Sequence, residues 1–291
     1  MRIHVLGTGA LGCFFGARLA RVAGVTLVGT WMEALDAIAK SGIVLEAAGA
    51  EQAVPVKTAR LGAPLEAADL VLVLVKAWQT ERVARMVPDL TGPCGYVLTL
   101  QNGLGNLEKL GPRAFLGVTE QGATLLAPGR VRPCGDGPTH IAGPESLAEV
   151  FRSAGLDARA VDPALGDSLA WGKLAVNAGI NALSAILRVP NGQLLAQPEA
   201  LALLEGASNE VAEVARAKGI ALPFPDAAAE TRRVARATAS NLSSTLQDVL
   251  RGAPTEIDAI NGAVVREGAR LGVRTPANET LLRLLAARVA A

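Results

Sequence analysis

Aromatic side chains are scarce in this 291-residue chain: Phe, Trp and Tyr together make up 3% of it. The interior must be filled with Ala, Leu, Val and Ile, and half of the residues are hydrophobic. So much apolar side chain, with only 19% charged residues, excludes an intrinsically disordered chain. An excess of charge of one sign is also missing. Lys and Arg number 28 and Asp and Glu 27, for a formal net charge of +1. Bulk electrostatics therefore give no case for nucleic acid or an anionic membrane as a partner. The three cysteines, Cys13, Cys94 and Cys134, are widely spaced and form no CxxC pair, which argues against a disulfide framework or a zinc site. The two histidines, His4 and His140, lie too far apart in sequence to read as a metal pair, and no metal is expected. Long hydrophobic runs are absent as well. The longest aliphatic stretch, Leu70 to Val75, is strand-sized and far short of the roughly 18 residues of a membrane span. Gly7, Gly9 and Gly12 interrupt the apolar N-terminus and no cleavage site follows, so no signal peptide and a cytoplasmic setting are expected.

Glycine, in contrast, stands where it carries meaning. Ile3 to Leu6 is a short apolar stretch suited to a buried strand. Gly7-Thr8-Gly9-Ala10-Leu11-Gly12 follows, then a helix-like stretch from Cys13 to Val22 and a strand-like run from Val25 to Val28. This is a βαβ unit with a GxGxxG at its first turn. Gly7 permits the turn, Gly9 lets a pyrophosphate approach the backbone, and Gly12 lets helix and strand pack closely. The new helix presents free N–H groups and the positive end of its dipole to phosphate. Asp69 to Val75 reads as a central parallel strand ending in Lys76-Ala77-Trp78-Gln79. Tyr96 to Leu100 reads as another, ending in Gln101-Asn102-Gly103. In open α/β sheets ligands bind beyond such carboxyl ends. Asn102-Gly103 also suits an ordinary turn, and Lys76 an ordinary solvated lysine. The stretch after the second strand, Thr30-Trp31-Met32-Glu33, contains no arginine, the residue type that suits a 2′-phosphate.

From about Pro163 the pattern turns helical. The expected architecture is α/β: a Rossmann-type parallel-sheet domain over residues 1–165, followed by an all-α domain over 166–291. Asp167 to Leu187 forms one long helix on which Lys173, Asn177 and Asn181 recur at i, i+4 and i+8, along one face. The rest of that helix is apolar, so it is buried, and three aligned polar groups there need partners that a polar ligand can supply. Solvent or neighbouring protein groups are the alternative. Pro190-Asn191-Gly192 marks a turn. Thr255 reads as a helix N-cap with Asp258 three residues on, which places Glu256 in a first turn where an acid complements the dipole. Ser243 and Ser244 read as routine helix residues on this basis.

Taken together these segments resemble the ketopantoate reductase family. The resemblance is carried by Val5 to Gly12, Lys76 to Gln79, Gln101 to Gly103, Trp171 to Asn177, Pro190 to Gly192, Ser243 to Asp248 and Thr255 to Asp258, and it covers nearly the whole chain. It implies a Rossmann domain followed by a helical domain with the active site in the cleft between them. It implies reduction of 2-dehydropantoate to (R)-pantoate with NADPH, in pantothenate biosynthesis. Lys173 falls on the family's catalytic lysine, with Glu256 beside it in the catalytic set. Asn102, Asn177, Asn181, Asn191 and Ser244 fall on substrate positions. Gly7, Thr8, Gly9, Ala10, Leu11, Gly12, Lys76, Gln79, Asn102 and Ala123 fall on cofactor positions. The chain departs from the family near Thr30, where members commonly carry the arginine for the 2′-phosphate, and this leaves NAD as an alternative to NADP. The implied partner is a small 2-keto acid, with monomer and homodimer both open. A reductase of another branched 2-keto acid, and a non-catalytic dinucleotide sensor, are the competing readings.

Overall fold

The computed structural model describes residues 1–47 and 49–289, with no side-chain description of Val289. The described chain forms two compact units, one of Met1–Gln101 with Asn106–Gly166 and one of Asn102–Gly105 with Asp167 onward. Among the described residues twelve strands run in chain order: β1 (Arg2–Leu6), β2 (Gly24–Gly29), β3 (Ile43–Ala47), β4 (Ala50–Val54), β5 (Lys57–Arg60), β6 (Ala68–Val73), β7 (Thr91–Thr99), β8 (Ala114–Thr119), β9 (Gly122–Ala127), β10 (Arg130–Gly135), β11 (Thr139–Ala142) and β12 (Ala158–Ala160). The helices among them are α1 (Ala10–Leu19), α2 (Met32–Ser41), α3 (Thr80–Ala84), α4 (Val87–Leu90), α5 (Asn106–Leu110) and α6 (Glu145–Ser153). A 3₁₀ turn covers Ala77–Gln79.

The main sheet has the order β12-β11-β8-β7-β6-β1-β2-β5. The run from β8 through β5 is parallel, and β11 joins β8 antiparallel. β1 is central, with Leu6 paired to both Val28 and Val73. The chain leaves β1 toward β2 and later returns past it to β6. The connections at the carboxyl ends of β1 and β6 therefore diverge, which opens the crevice that ligands use in such sheets. Alternate residues of the strands feed two apolar layers. Ile3, Val5, Leu27, Leu70 and Leu72 pack with α1 and α6, while Leu6, Val28, Val71 and Val73 pack with α3 and α4. A second sheet, β4-β3-β10-β9, covers the far side of α1. Enclosed in this way, α1 is buried almost all round. Three phenylalanines meet here: the Phe14 and Phe15 rings lie edge to face at 5.2 Å, and Phe15 meets Phe151 at 5.9 Å. Burial pushes the Cys13 thiol up to about 12, which removes it as a nucleophile.

The second unit has no strand among its described residues. It contains α7 (Pro163–Leu187, whose first residues belong to the first unit), α8 (Pro198–Ala217), α9 (Ala227–Ala237), α10 (Ser244–Leu250), α11 (Asn261–Leu271) and α12 (Pro276–Val289). A 3₁₀ turn at Asn191–Ala196 follows α7. A buried polar bracket ties these helices together. Asn261 Nδ2 donates to the Ala178 carbonyl at 3.1 Å and to Asn278 Oδ1 at 2.9 Å. Asn278 Nδ2 donates to the Ala207 carbonyl at 2.9 Å and to Glu210 Oε2 at 2.7 Å. Glu210 also accepts the free N–H groups of Ala277 and Asn278 at the start of α12. Bonds of this kind inside an apolar cluster are costly to break, so the bracket holds α7 in one position relative to its neighbours. No helix among the described residues is long and apolar enough to cross a membrane, and no group of three or more His, Cys, Asp and Glu there is disposed to hold a metal.

Candidate active site

The glycine turn lies at the carboxyl end of β1, at the switch point of the sheet. Gly7 has φ +127°, and a Cβ there would stand 2.7 Å from the Leu74 carbonyl. At Gly12 a Cβ would stand 2.0 Å from the Gly7 oxygen. These two glycines are demanded by close packing. Gly9 differs, because a Cβ there would meet nothing within 4 Å. The space over Gly9 is open, as close approach of a ligand requires. Gly9 is also the N-cap of α1, and no side chain caps that helix or places an acid in its first turn. The N–H groups of Ala10, Leu11 and Gly12 are the first-turn donors that a helix cannot satisfy internally. Uncapped donors, a positive dipole end and open space together fit a pyrophosphate. Thr8 is buried between this turn and Gly29, the last residue of β2.

Lys76 to Gln79 lies at the carboxyl end of β6, the other side of the switch point. Lys76 and Gln79 are half-buried and Trp78 is exposed. The sequence reading missed what holds this tetrapeptide. Gln101 Nε2 donates to the Val75 carbonyl at 2.7 Å and to Thr80 Oγ1 at 2.8 Å, which are the residues flanking Lys76–Gln79 on either side. Thr99 Oγ1 donates to Gln101 Oε1 at 2.9 Å, and Thr80 Oγ1 donates to Asn106 Oδ1 at 2.8 Å. One amide thus pins both ends of the loop. Ala123 lies in β9, paired with Pro133 and packed against the α1 layer. A cavity of about 700 Å³ lined by Arg2, Gly24, Lys57 and Asp69 lies at the amino ends of β1, β2 and β5, away from these groups.

The remaining candidates belong to the helical unit. Lys173, Asn177 and Asn181 follow one another along α7, with Lys173 and Asn177 half-buried and Asn181 buried. The start of α10 docks on the later end of that row. Ser184 Oγ donates to Ser243 Oγ at 2.7 Å, and Ser243 Oγ caps α10 by accepting from Leu246 N–H at 3.1 Å. Ser243 is therefore the structural serine, and Ser244, next to it, is the exposed one. Asn191 is joined to the same region, since its N–H donates to the Asn241 carbonyl at 3.0 Å and its Nδ2 donates to Thr238 Oγ1 at 3.0 Å. Its buried Oδ1 has no hydrogen-bond partner among the described residues, an acceptor left open for a ligand donor.

Asn102 is grouped with the helical unit although it directly follows the sheet strand β7. Leu104 N–H donates to the Ala259 carbonyl at 2.9 Å, and Leu104 packs with Trp171, Leu174 and Ile260. Gly103 has φ +81°, and a Cβ there would stand 2.3 Å from the Ala259 oxygen. The Asn102 segment therefore lies on the turn that carries Glu256. That turn corrects one sequence expectation. Thr255 does not cap a helix, because Glu256 to Ile260 forms hydrogen-bonded turns and α11 begins only at Asn261. Asp258, expected to complete the cap, instead accepts from Arg266 Nη1 at 2.8 Å. Glu256 is 8% exposed and sits five residues before α11, so a first-turn dipole role does not account for it.

Comparison with known proteins bears on the same segments. The family model described as "Ketopantoate reductase PanE/ApbA" matches residues 3–145, and "Ketopantoate reductase PanE/ApbA C terminal" matches residues 167–289. The chain belongs to the ketopantoate reductase family. Members similar to it include the 2-dehydropantoate 2-reductase of Archaeoglobus fulgidus, 38% identical, covering 98% of this chain and 96% of that one. Among solved structures, a ketopantoate reductase of this family from Ralstonia eutropha has a TM-score of 0.91 at 34% identity, covering 100% and 99%. A D-mandelate dehydrogenase in ternary complex with NADH and anilino(oxo)acetate has a TM-score of 0.93 at 29% identity, covering 100% and 99%. The family's curated relatives are reductases, and the α/β architecture with a Rossmann-type first unit and a helical second one is the family's own.

Proposed function

We propose that this chain reduces 2-dehydropantoate to (R)-pantoate by hydride transfer from NADPH, serving pantothenate biosynthesis in the cytoplasm. The observation that carries this reading is the polar row Lys173, Asn177 and Asn181 on a helix whose other faces are buried in an apolar cluster, with the Ser244 and Asn191 segments docked at its end. The dinucleotide supplies the hydride. Gly9, Ala10, Leu11 and Gly12 hold its pyrophosphate, with Lys76, Gln79, Asn102 and the backbone at Thr8 and Ala123 completing the cofactor set.

Hydride arrival at a ketone carbon leaves negative charge on the oxygen. The Lys173 ammonium faces that charge, stabilises it and delivers the proton that completes the alcohol. Asn177, Asn181 and Asn191 bind the hydroxyl and carboxylate groups of the substrate and orient its carbonyl. Ser244 donates to the carboxylate. Glu256 accepts a hydrogen bond from a substrate hydroxyl and helps place Lys173. A buried carboxylate used this way discriminates strongly against 2-keto acids without the hydroxyl, because its acceptor would be left unmet.

Likeness to a D-mandelate dehydrogenase favours a second reading, reduction of another 2-keto acid with NADH. Initial rates with 2-dehydropantoate and an aromatic 2-keto acid, each with NADPH and NADH, decide between them. The expected result is the highest kcat/KM for 2-dehydropantoate with NADPH. Turnover confined to the aromatic acid would reject the substrate, and cofactor binding without turnover of any 2-keto acid would point to a sensor.

A further inference from the structure

The stretch Thr30 to Glu33 has no cation, yet NADPH is the donor proposed above. Glu33 makes the place less hospitable to an anion and is engaged locally, accepting from the Trp31 indole N–H at 3.2 Å. The neighbouring strand supplies what this stretch lacks. β5 runs parallel to β2, and its last residue, Arg60, is paired with Gly29, the last residue of β2. Leu61 N–H donates to the Gly29 carbonyl at 2.8 Å and Ala63 N–H to the Arg60 carbonyl at 2.9 Å, so the peptide that follows Arg60 is pinned at both its N–H and its carbonyl.

The face from which Arg60 projects follows from two independent observations. Its neighbours Ala59 and Leu61 pack into the layer of Leu6, Val28 and Val73. Side chains alternate along a strand, so Arg60 points to the opposite face, the one that α1 covers. Gly29 shares that phase, and a Cβ on it would touch the Thr8 side chain at 2.8 Å, within the glycine turn. Arg60 is thus one strand spacing, about 4.8 Å, beyond the end of β2, on the side of the sheet where the dinucleotide turn lies. The N-terminus of α2 opens at the same edge, with no side-chain cap at Trp31. Arg60 is exposed, and among the described residues none forms an ion pair or hydrogen bond with its guanidinium.

We propose that Arg60 recognises the 2′-phosphate of NADPH, doing from β5 what an arginine after β2 does elsewhere in the family. A guanidinium presents a planar fork of donors to phosphate and carries its charge at any working pH. The inference rests on NADPH being the donor.

The test is binding rather than turnover alone. Isothermal titration of the wild-type protein, Arg60→Ala and Arg60→Lys with NADPH, NADH, 2′,5′-ADP and 5′-AMP separates the terms. Arg60→Ala is expected to weaken NADPH and 2′,5′-ADP about 10- to 100-fold and leave NADH and 5′-AMP unchanged, which also shows that the site is still folded. Arg60→Lys should recover part of the loss. The salt dependence of NADPH binding should flatten in Arg60→Ala. Loss of NADPH and NADH affinity in equal proportion, or no change in either, overturns the role of Arg60. If the wild-type protein prefers NADH, the NADPH reading falls first, and it does so before any variant is measured.

Discussion

The two units carry candidate site residues of different material. In the sheet unit the dinucleotide turn is almost entirely backbone: two glycines fixed by packing, one glycine left open, and the uncapped start of a helix. In the helical unit the site is side chains, Lys173, Asn177, Asn181, Asn191, Ser244 and Glu256, drawn from four separated segments. Backbone sites are local, so a few consecutive residues contain the whole constraint. Side-chain sites depend on which distant segments fold together. Variants should therefore fail differently in the two halves: by loss of fold or cofactor in the first, by loss of chemistry or substrate in the second.

The largest effect should come from the side-chain half. Lys173→Ala removes the proposed acid and should lower kcat about 10²- to 10⁴-fold, while cofactor binding and thermal stability persist, since Lys173 is only half-buried on a helix braced by Asn261 and Asn278. Stopped-flow turnover beside a NADPH titration checks this. Wild-type kcat would remove Lys173 from the chemistry.

Next comes a pair within the backbone half. Gly12→Ala pushes a methyl group against the carbonyl of Gly7, a residue whose N–H is bonded to the Val28 carbonyl at 2.8 Å, and should destabilise the protein by roughly 3 kcal/mol or more. Gly9→Ala meets only open space and should change stability by less than about 0.5 kcal/mol while weakening NADPH binding. Melting curves with and without cofactor separate the two. A Gly9→Ala protein that binds NADPH like wild type would contradict close approach at this turn.

Gly103→Ala probes the segment Asn102–Gly105, which is grouped with the helical unit. A left-handed residue with a Cβ against the Ala259 oxygen costs about 1–3 kcal/mol. Strain at Ala259 acts on the turn bearing Glu256, so KM for the keto acid should rise more than KM for NADPH. Equal changes in both would show that the segment does not position Glu256.

Legibility in sequence follows the same division. The β1 turn, α1, β2 and the apolar β6 could be read directly because each is short and steric demands on neighbouring residues define it. The second sheet could not, since β4 is mostly exposed and β3 finds its partner β10 far along the chain. In the helical unit the row on α7 was readable from its spacing of four. The start of α11 was not, because Asn261, and not Thr255, begins it, and its side chain is committed to Ala178 and Asn278. Arg60 is hidden in the sequence for a related reason. The residues that follow β2 in the chain hold no arginine, whereas Arg60 stands beside β2 on a strand that becomes its neighbour only in the fold.

Gln101 and Thr80 test whether the backbone half also depends on side chains at a distance. Thr80 Oγ1 accepts from Gln101 and donates to Asn106, so Thr80→Val conserves shape and removes both bonds. The loss to stability should be about 1 kcal/mol. Its direction in function is the informative part. The bonds to Val75 and Thr80 hold the two ends of Lys76–Gln79, so loosening one end should raise the Kd for NADPH and leave kcat at saturating cofactor unchanged. Thr80→Ser, which keeps the hydroxyl, should restore the Kd. A purely structural threonine would instead lower the melting temperature with no change in cofactor affinity, and serine would then offer no rescue of binding. The first outcome would mean that the cofactor half, for all its glycines, is held in shape by one half-buried glutamine at the end of a different strand.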